Sequence, residues 1–412
     1  MRLLLILIFV ISLMSCSSEN KSERKQINEI LAKGEKITNY ENLSMENIEE
    51  VNNKNSIKFS KFRKHKNWTH VNYNYNNNIG IRNYDLKYKI DKSKKVLSKN
   101  IFFYKNKIIV LNQKGVIKIL DENLKLTKKF KLKLKKDKNF ITFFNAAVTG
   151  NNLIISDNLG YIRKINLENG AIVWEKFLSV PFVSNLIIYK DKIYISNINS
   201  KIFSFNISDG NQEWSFETSS TLFNTPKAYR IAASSDILIF SNNAGQLTAL
   251  NLRDNKLLWQ RDLRKFTIFS SNRIFEISNL IIDKEAVFLS SNHGETLAFD
   301  FKTGRNLWSK KFYLNDITTS DKYIFGINTK GYFAVMRKKN GDIIFSKFLK
   351  DKKNTKLILN KILLNKTNIL ISTNLKKSIL LNLNNLNDTS LKKIRFDRYL
   401  HTLNYTFLLN EN

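Results

Sequence analysis

The chain has 412 residues, of which 42% are hydrophobic and 12% aromatic, so it can bury a core of ordinary globular size. Lysine and arginine number 68 against 35 aspartates and glutamates, which gives a formal net charge of +33. A single cysteine excludes an intramolecular disulfide framework, and with it the small secreted scaffolds that depend on one.

The first 16 residues have the organisation of a signal peptide. Arg2 provides the positive start, and residues 3–13 form an apolar run that is too short to span a membrane comfortably. The end of this run resembles the bacterial lipobox, in which small residues precede a cysteine that is lipidated; here it reads Leu13, Met14, Ser15 and Cys16. We expect Cys16 to carry the lipid, with an ordinary secretory signal as the alternative. The absence of an Asp after Cys16 favours the outer membrane.

Two further regions follow the signal peptide. Residues 17–55 are polar and rich in Glu, Lys, Asn and Ser, so we expect a tether between the lipid and a folded domain. Residues 56–412 contain short β-branched and aromatic runs separated by turn residues. We expect them to form a single all-β domain.

A three-part pattern recurs five times in this domain. It has a turn residue, a second turn residue ten positions later and an aromatic residue fourteen positions later. The first position holds Gly160, Ser200, Gly245, Gly294 and Gly331. The second holds Gly170, Gly210, Asn255, Gly304 and Gly341. The third holds Trp174, Trp214, Trp259, Trp308 and Phe345. Coincidence does not align these residue types five times, so the pattern predicts a repeat architecture.

Two weaker copies extend the array, one around Gly115 and one near Lys377. The mean period is about 44 residues, which leaves space for four short strands in each unit. This period predicts a single β-propeller of four-stranded blades with seven recognisable repeats; an open array or a sandwich is the alternative. An N-terminal strand commonly completes the last blade, and we assign that closing role to residues 84–90. Residues 391–409 are also strand-like, so the sequence leaves open whether the propeller has seven or eight blades.

The densest run of charge covers residues 125–138, where Phe130 and Leu132 alternate with lysines. This alternation is typical of an outer strand with one lysine face in solvent. Bias towards AT-rich codons explains part of the charge, because Lys, Asn and Ile are all abundant. Attraction to anionic lipid is a second explanation. We expect no nucleic-acid binding, since an exported protein does not meet its own genome.

Residues with catalytic or metal-binding chemistry are sparse. No two of the four histidines have metal-ligand spacing, and no cysteine lies near them: His65, His70, His293 and His401. The chain also lacks a nucleophile elbow and a phosphate-cradling glycine loop. We therefore expect no catalytic residue, no metal and no cofactor.

The repeat resembles the PQQ-type β-propeller repeat, whose core reads Gly-x-Leu-x-Ala-Leu-Asp-x-x-x-Gly-x-x-x-Trp. Residues 245–251 and 294–308 match it closely. The resemblance implies that the tryptophan packs between neighbouring blades. Two groups share this repeat: the quinone-dependent dehydrogenases, and the lipoprotein B subunit of the outer-membrane β-barrel assembly machinery, which is an eight-bladed propeller without enzymatic activity. The order of lipobox, tether and repeats along the chain is similar to that in the second group.

That resemblance implies a lipid-anchored periplasmic scaffold that binds envelope proteins and assists barrel assembly, with the barrel-inserting subunit as a partner. The family docks through a Leu-x-Leu-Arg loop between its third and fourth blades, which residues 219–225 do not reproduce. Leu222 and Phe223 are the candidates for an apolar contact there, with ordinary blade packing as the alternative. Two other functions stay open. One is a periplasmic carbohydrate- or peptide-binding propeller; the other is a quinone-dependent dehydrogenase, which the missing adjacent-cysteine disulfide disfavours.

Overall fold

The computed structural model describes residues 67–82, 100–121, 125–132, 143–221, 225–266, 275–292, 294–328, 330–349, 357–365, 367–373 and 378–386. The predicted signal peptide and tether, and residues 84–90 and 391–409, lie outside these ranges. Regular structure in the described part is β, apart from two 3-10 turns at Pro226–Ala228 and Leu263–Phe266. No helix in this part is long and apolar enough to cross a membrane.

The strands of the described residues form seven four-stranded sheets. A short N-terminal strand, β1 (Ile81–Arg82), belongs to the seventh sheet. The first sheet contains β2 (Asn100–Tyr104), β3 (Lys107–Leu111), β4 (Val116–Leu120) and β5 (Leu126–Lys131). The second contains β6 (Phe144–Thr149), β7 (Asn152–Asp157), β8 (Tyr161–Asn166) and β9 (Ile172–Phe177). The third contains β10 (Ile187–Tyr189), β11 (Lys192–Ser196), β12 (Lys201–Asn206) and β13 (Gln212–Glu217).

The remaining sheets follow in chain order. The fourth contains β14 (Ile231–Ser234), β15 (Ile237–Ser241), β16 (Gln246–Asn251) and β17 (Lys256–Asp262). The fifth contains β18 (Ile281–Asp283), β19 (Ala286–Ser290), β20 (Thr296–Asp300) and β21 (Asn306–Lys310). The sixth contains β22 (Asp316–Thr319), β23 (Tyr323–Ile327), β24 (Tyr332–Arg337) and β25 (Ile343–Phe348). The seventh adds β26 (Leu359–Asn365), β27 (Asn368–Thr373) and β28 (Ser378–Asn382) to β1.

Each of the first six sheets is an antiparallel meander of consecutive strands. The first strands of successive sheets contact one another in order, from β2 and β6 to β22 and β26. Seven sheets that meet along their first strands have the architecture of a β-propeller. The predicted all-β propeller of four-stranded blades is therefore confirmed.

The repeats contain two kinds of turn, and the local sequence explains both. Between the first two strands of the first, third and fourth sheets both central residues have positive φ, as at Lys105 (46°) and Asn106 (62°), which is the pattern of a type I′ hairpin. Between the second and third strands an Asx side chain organises the turn: Oδ1 of Asp157 accepts the N–H groups of Leu159 (3.0 Å) and Tyr161 (2.9 Å). The same position holds Asn112, Asn197, Asn242 and Asn328 in other sheets.

Residues 67–82, here named the central segment, run along the first strands of all seven sheets. Trp68 N donates to the Phe103 carbonyl on β2 (2.6 Å), and Val148 N on β6 donates to the Thr69 carbonyl (2.8 Å). Ile188 N on β10 donates to Nε2 of His70 (3.0 Å). The segment thus joins the first three sheets near the centre of the ring.

The central segment reaches the remaining sheets in the same order. Tyr75 and Asn76 carbonyls accept the N–H groups of Ala233 on β14 (2.8 Å) and Ile282 on β18 (3.1 Å). Oδ1 of Asn78 accepts the hydroxyl of Thr319 on β22 (3.1 Å). β1 then pairs with β26 in parallel. The N-terminal strand that reaches the last sheet is therefore Ile81–Arg82, beside its innermost strand, whereas our assignment to residues 84–90 lies outside the described residues.

Candidate partner-binding surface

Tryptophans of the repeat pack against turn glycines of the next sheet. A Cβ atom at Gly210 would lie 2.6 Å from Cε3 of Trp174, and one at Gly304 would lie 2.4 Å from Cδ2 of Trp259. Carbon atoms normally approach to about 3.5–4.0 Å, so only glycine fits without displacement. The Trp259 indole N–H also donates to the carbonyl of Phe301 in the next sheet (3.1 Å). Each contact ties one sheet to its neighbour.

The same contact occurs in two further places in the repeat array. Trp308 lies against Gly341, where a Cβ would be 2.6 Å from its Cε3 atom, and its N–H donates to the Lys338 carbonyl (2.7 Å). In the first sheet Phe130 on β5 takes this place against Gly170, with a Cβ distance of 2.4 Å to its Cδ1 atom. The sequence pattern did not assign Phe130 to the aromatic position because it follows Gly115 by one residue more than in the other copies.

The other repeat positions have varied surroundings. Trp214 is half-buried beside Tyr194, with ring centroids 5.9 Å apart, and Phe345 is buried. A Cβ at Gly160 would lie 2.9 Å from the backbone of Val180. The glycines at the first repeat position all have positive φ: Gly160, Gly245, Gly294 and Gly331. These turns and the aromatic contacts fix the sheets that carry the surface loops.

The candidate partner-binding surface is the connection from the third to the fourth sheet, residues 218–230, here named the connecting loop. Two adjacent amides from the fourth sheet hold its first part. Asn242 Nδ2 donates to the Thr218 hydroxyl and the Ser219 carbonyl, both at 2.8 Å. Asn243 Nδ2 donates to the Thr221 carbonyl (3.1 Å). The side chains of residues 219–221 are exposed, so this part offers polar groups to solvent on a fixed backbone.

The second part of the connecting loop is held by a different set of contacts. The Thr225 hydroxyl caps the 3-10 turn by accepting Lys227 N–H (3.4 Å), and it donates to Oε1 of Glu276 (3.2 Å). The Tyr229 hydroxyl donates to the Ile198 carbonyl (2.6 Å). Burial raises the pKa of Tyr229, so this hydroxyl keeps its proton at neutral pH. The loop is therefore anchored on both sides of residues 222–224.

The most specific sequence predictions fall outside the described residues. They are the proposed partner contacts Leu222 and Phe223, the lipidation site Cys16, and the lipobox residues Leu13, Met14 and Ser15. The anchors at Asn242, Asn243 and Glu276 were not predicted. The Asx pattern before Gly245 could have indicated Asn242, but nothing local links Glu276 to a loop some fifty residues earlier.

Two buried ion pairs of the described residues join the sixth sheet to its neighbours. Lys361 Nζ lies 2.9 Å from Oδ1 of Asp316, whose pKa is raised by burial. Asp283 accepts hydrogen bonds from Thr319 (2.6 Å) and Lys338, and burial lowers the pKa of Lys338. No three His, Cys, Asp or Glu side chains in these ranges could hold a metal ion. Both ion pairs have a structural role, because each joins two neighbouring sheets.

A groove of about 710 Å³ lies between the fifth and sixth sheets. Phe288, Leu307 and Tyr323 supply apolar surface, and lysines and acidic residues surround it. An apolar lining with a few polar groups suits a small ligand or a short peptide. The groove is lined by residues of the fifth and sixth sheets, whereas the connecting loop joins the third sheet to the fourth.

Comparison with known proteins identifies the repeat. A family model described as outer membrane protein assembly factor BamB matches residues 114–347, more than half of the chain. The protein of that name from Yersinia pestis is 19% identical over 253 residues, 58% of this chain and 63% of the relative. The one from Shewanella oneidensis is 21% identical over 199 residues, 46% of this chain and 49% of the relative. The chain thus spans between about half and 63% of the length of these relatives.

Two solved structures share the fold. BamB from Moraxella catarrhalis superposes with a TM-score of 0.50 at 17% identity, over 65% of this chain and 78% of that chain. The C-terminal WD40 domain of Sif2 superposes with a TM-score of 0.53 at 13% identity, over 74% and 86%. At such identities the structures show the propeller fold alone. The match of the family model over residues 114–347 shows that the chain belongs to the BamB family of outer membrane protein assembly factors.

Proposed function

We propose that the protein is a non-enzymatic scaffold at the periplasmic face of the outer membrane, where it binds envelope proteins and assists the assembly of β-barrel proteins. The observation that carries this proposal is the family match over residues 114–347. The relatives that bear the name outer membrane protein assembly factor support the same role.

The proposed arrangement follows the order of the chain. Residues 1–16 direct export, Cys16 receives the lipid, residues 17–55 act as a tether and residues 56–412 present the propeller. A propeller suits such a role because its sheets hold loops in fixed positions around a ring. Lipid attachment would keep those loops close to the membrane in which barrel proteins are inserted.

Partner binding is proposed at the connecting loop, with Leu222 and Phe223 as the apolar contacts and the barrel-inserting subunit as the partner. The support is the anchoring of the loop on either side of these two residues, where Asn242 binds Ser219 and Glu276 binds Thr225. A contact presented between fixed anchors loses less conformational entropy on binding than one in an unanchored loop.

The test is affinity purification of the full chain from solubilised envelopes, read by mass spectrometry. We expect the barrel-inserting subunit to co-purify with the parent, and roughly tenfold less of it with the variant Leu222→Asp, Phe223→Asp. The control is Leu257→Asp, Leu258→Asp, which makes the same change at two exposed residues of β17 (48% and 42% exposed). Equal recovery with both variants would remove the connecting loop from the proposal; absence of any barrel-assembly subunit would contradict the scaffold role.

The groove between the fifth and sixth sheets favours a second candidate, a periplasmic propeller that binds a carbohydrate or peptide. It is favoured if no assembly subunit co-purifies and a glycan or peptide array gives a specific ligand that Leu307→Asp abolishes. A quinone-dependent dehydrogenase is tested with the purified chain, pyrroloquinoline quinone, calcium and a panel of alcohols and sugars. Quinone-dependent turnover would overturn the non-enzymatic assignment.

A further inference from the structure

Positive charge is unevenly distributed among the sheets. The sequence of the first sheet, from Asn100 to Lys131, holds eight lysines, no arginine and two acidic residues. Basic and acidic residues balance in the second, fourth and fifth sheets, and the third has one acidic residue in excess. The sixth has six basic and three acidic residues, and the seventh has four lysines, Arg82 on β1 and no acid. Codon bias acts on the whole chain, so it does not explain why the first sheet differs from the four that follow.

The lysines of the first sheet face solvent. Seven of the eight are exposed: Lys105, Lys107, Lys114, Lys125, Lys128, Lys129 and Lys131. Lys118 stands directly opposite Lys129 in the ladder between β4 and β5. Like charges in directly opposed positions destabilise a sheet unless an anion screens them. This arrangement therefore favours an anionic partner.

Among the described residues, ion pairing does not involve these lysines. In the described residues, ion pairs occur in the other sheets and the loops between them, and none includes a lysine of the first sheet. Lys128 donates instead to the backbone carbonyl of Glu168 (2.8 Å). The exposed ammonium groups are therefore accessible to an external anionic partner.

The N-terminal part of the chain is attached at the same sheet. Trp68 N donates to the Phe103 carbonyl on β2 (2.6 Å), and Lys105 N donates to Oδ1 of Asn67 (3.2 Å). Whatever precedes Asn67 is covalently joined to the propeller here. Leu126 on β5 is 49% exposed among the lysines, so an apolar side chain accompanies the charge.

We propose that the first sheet binds the anionic phospholipid headgroups of a membrane surface. Lysine is a compact, strongly hydrated point charge that needs no fixed partner geometry, unlike the planar fork of arginine. A surface with lysines alone therefore fits a diffuse layer of phosphates better than a specific carboxylate site on a protein. Leu126 can enter the interface beside the headgroups. This inference goes beyond the proposed scaffold function and does not require a lipid on Cys16.

The test is flotation of the purified full chain with vesicles of phosphatidylcholine, alone or with about 30% phosphatidylglycerol. Every variant has the same N-terminus, so any contribution of the apolar residues 3–13 is equal throughout. The main variant changes four exposed lysines of the first sheet to Glu: Lys114, Lys125, Lys129 and Lys131. The matched control makes the same change of net charge elsewhere, at exposed Lys256, Lys265, Lys302 and Arg305.

The parent should bind the anionic vesicles and dissociate as salt rises from about 0.05 M to 0.5 M, because ions screen the attraction. The main variant should lose affinity by more than about 600-fold, since each lysine near an anionic surface contributes roughly a fivefold gain and four such factors multiply. The control should stay within about threefold of the parent. Changing the same four lysines to Gln, with the fold checked by circular dichroism, should give an intermediate loss.

Three results would overturn the proposal. One is equal binding to neutral and anionic vesicles. Another is an equal loss in the main variant and the matched control, which would assign the effect to overall charge. The third is that soluble polyglutamate competes for the chain as effectively as anionic vesicles do. That result would indicate that the first sheet binds an acidic protein. None of these results bears on co-purification of an assembly subunit, so the two proposals fail separately.

Discussion

The contact between Trp259 and Gly304 makes a quantitative prediction about how neighbouring sheets are joined. Trp259 is 5% exposed, so Trp259→Ala should cost about 3–5 kcal/mol of unfolding free energy, as large aromatic deletions in cores do. Gly304 has a φ of +66°, and its Cβ would lie 2.4 Å from the indole. Gly304→Ala should therefore cost about 1–2 kcal/mol for the left-handed backbone and a further 1–3 kcal/mol for overpacking.

The two changes should not be additive. Once the indole is gone, the new methyl group occupies part of the cavity, so only the backbone cost of Gly304→Ala remains. The double variant should be more stable than the sum of the single variants predicts, by about 1–3 kcal/mol. Gly150→Ala is the matched control, because it has a φ of +53° with nothing within 4 Å of its Cβ. Its cost should add to that of Trp259→Ala within about 0.5 kcal/mol.

The assay is denaturant unfolding followed by far-UV circular dichroism, which does not depend on the deleted indole. Additivity of Trp259→Ala and Gly304→Ala within about 0.5 kcal/mol would show that the ring does not exclude a side chain at position 304. A loss below about 1 kcal/mol for Trp259→Ala would remove the role of this residue in joining the fourth and fifth sheets.

Three further predictions concern the N-terminal part of the chain. Cys16→Ala should leave the protein unprocessed or soluble, and fractionation with the membrane and processing like the parent would contradict lipidation. Asn77→Ala should lower the unfolding free energy by roughly 1–3 kcal/mol, because Nδ2 of Asn77 donates to the carbonyls of Ile231 (2.8 Å) and Leu280 (2.9 Å) at the centre of the ring; an unchanged denaturation midpoint would contradict this. Burial lowers the pKa of His70 from 6.5 to about 4, so its neutral form is favoured in the folded state. The contribution of His70 to the free energy of unfolding should be fully present above pH 6.5. It should be lost as the pH falls towards 4, by roughly 3 kcal/mol in total. His70→Gln should flatten that part of the stability–pH curve, and an unchanged slope would be the contradicting result.

The repeat could be read from the sequence because its residues have local physical causes. Gly304 is fixed by both a positive φ and the indole of the preceding sheet, so its identity is closely constrained. Trp259 buries a large ring and satisfies its N–H at the Phe301 carbonyl, which few other side chains can do. Glycine, turn and tryptophan therefore recur at fixed spacing, and the spacing predicts the sheets.

The central segment could not be predicted in the same way. Residues 67–82 are rich in Asn and Tyr and show no strand or helix period. Most of their hydrogen bonds go to backbone groups on six of the seven first strands, so the partner sequences carry little trace of the contact. The expected closing strand at residues 84–90 rests on the common closure of a propeller by an N-terminal strand, whereas the pairing observed at Ile81–Arg82 depends on backbone geometry.

The candidate surface was predictable only in part. The position of the connecting loop follows from the repeat boundaries, because it joins the third sheet to the fourth. Its anchors, Asn243 and Glu276, belong to other turns and loops, and their role depends on how neighbouring sheets pack. The charge of the first sheet is visible in the sequence, but its contrast with the other sheets needs the strand boundaries.

The most direct test of the assembly role is the amount of folded β-barrel protein in outer membranes after depletion of this protein, measured by heat-modifiable migration and quantitative mass spectrometry. The scaffold account predicts a fall in folded barrel proteins that the full chain restores and that the Leu222→Asp, Phe223→Asp variant restores only in part. Unchanged levels of folded barrel proteins after complete depletion would contradict it.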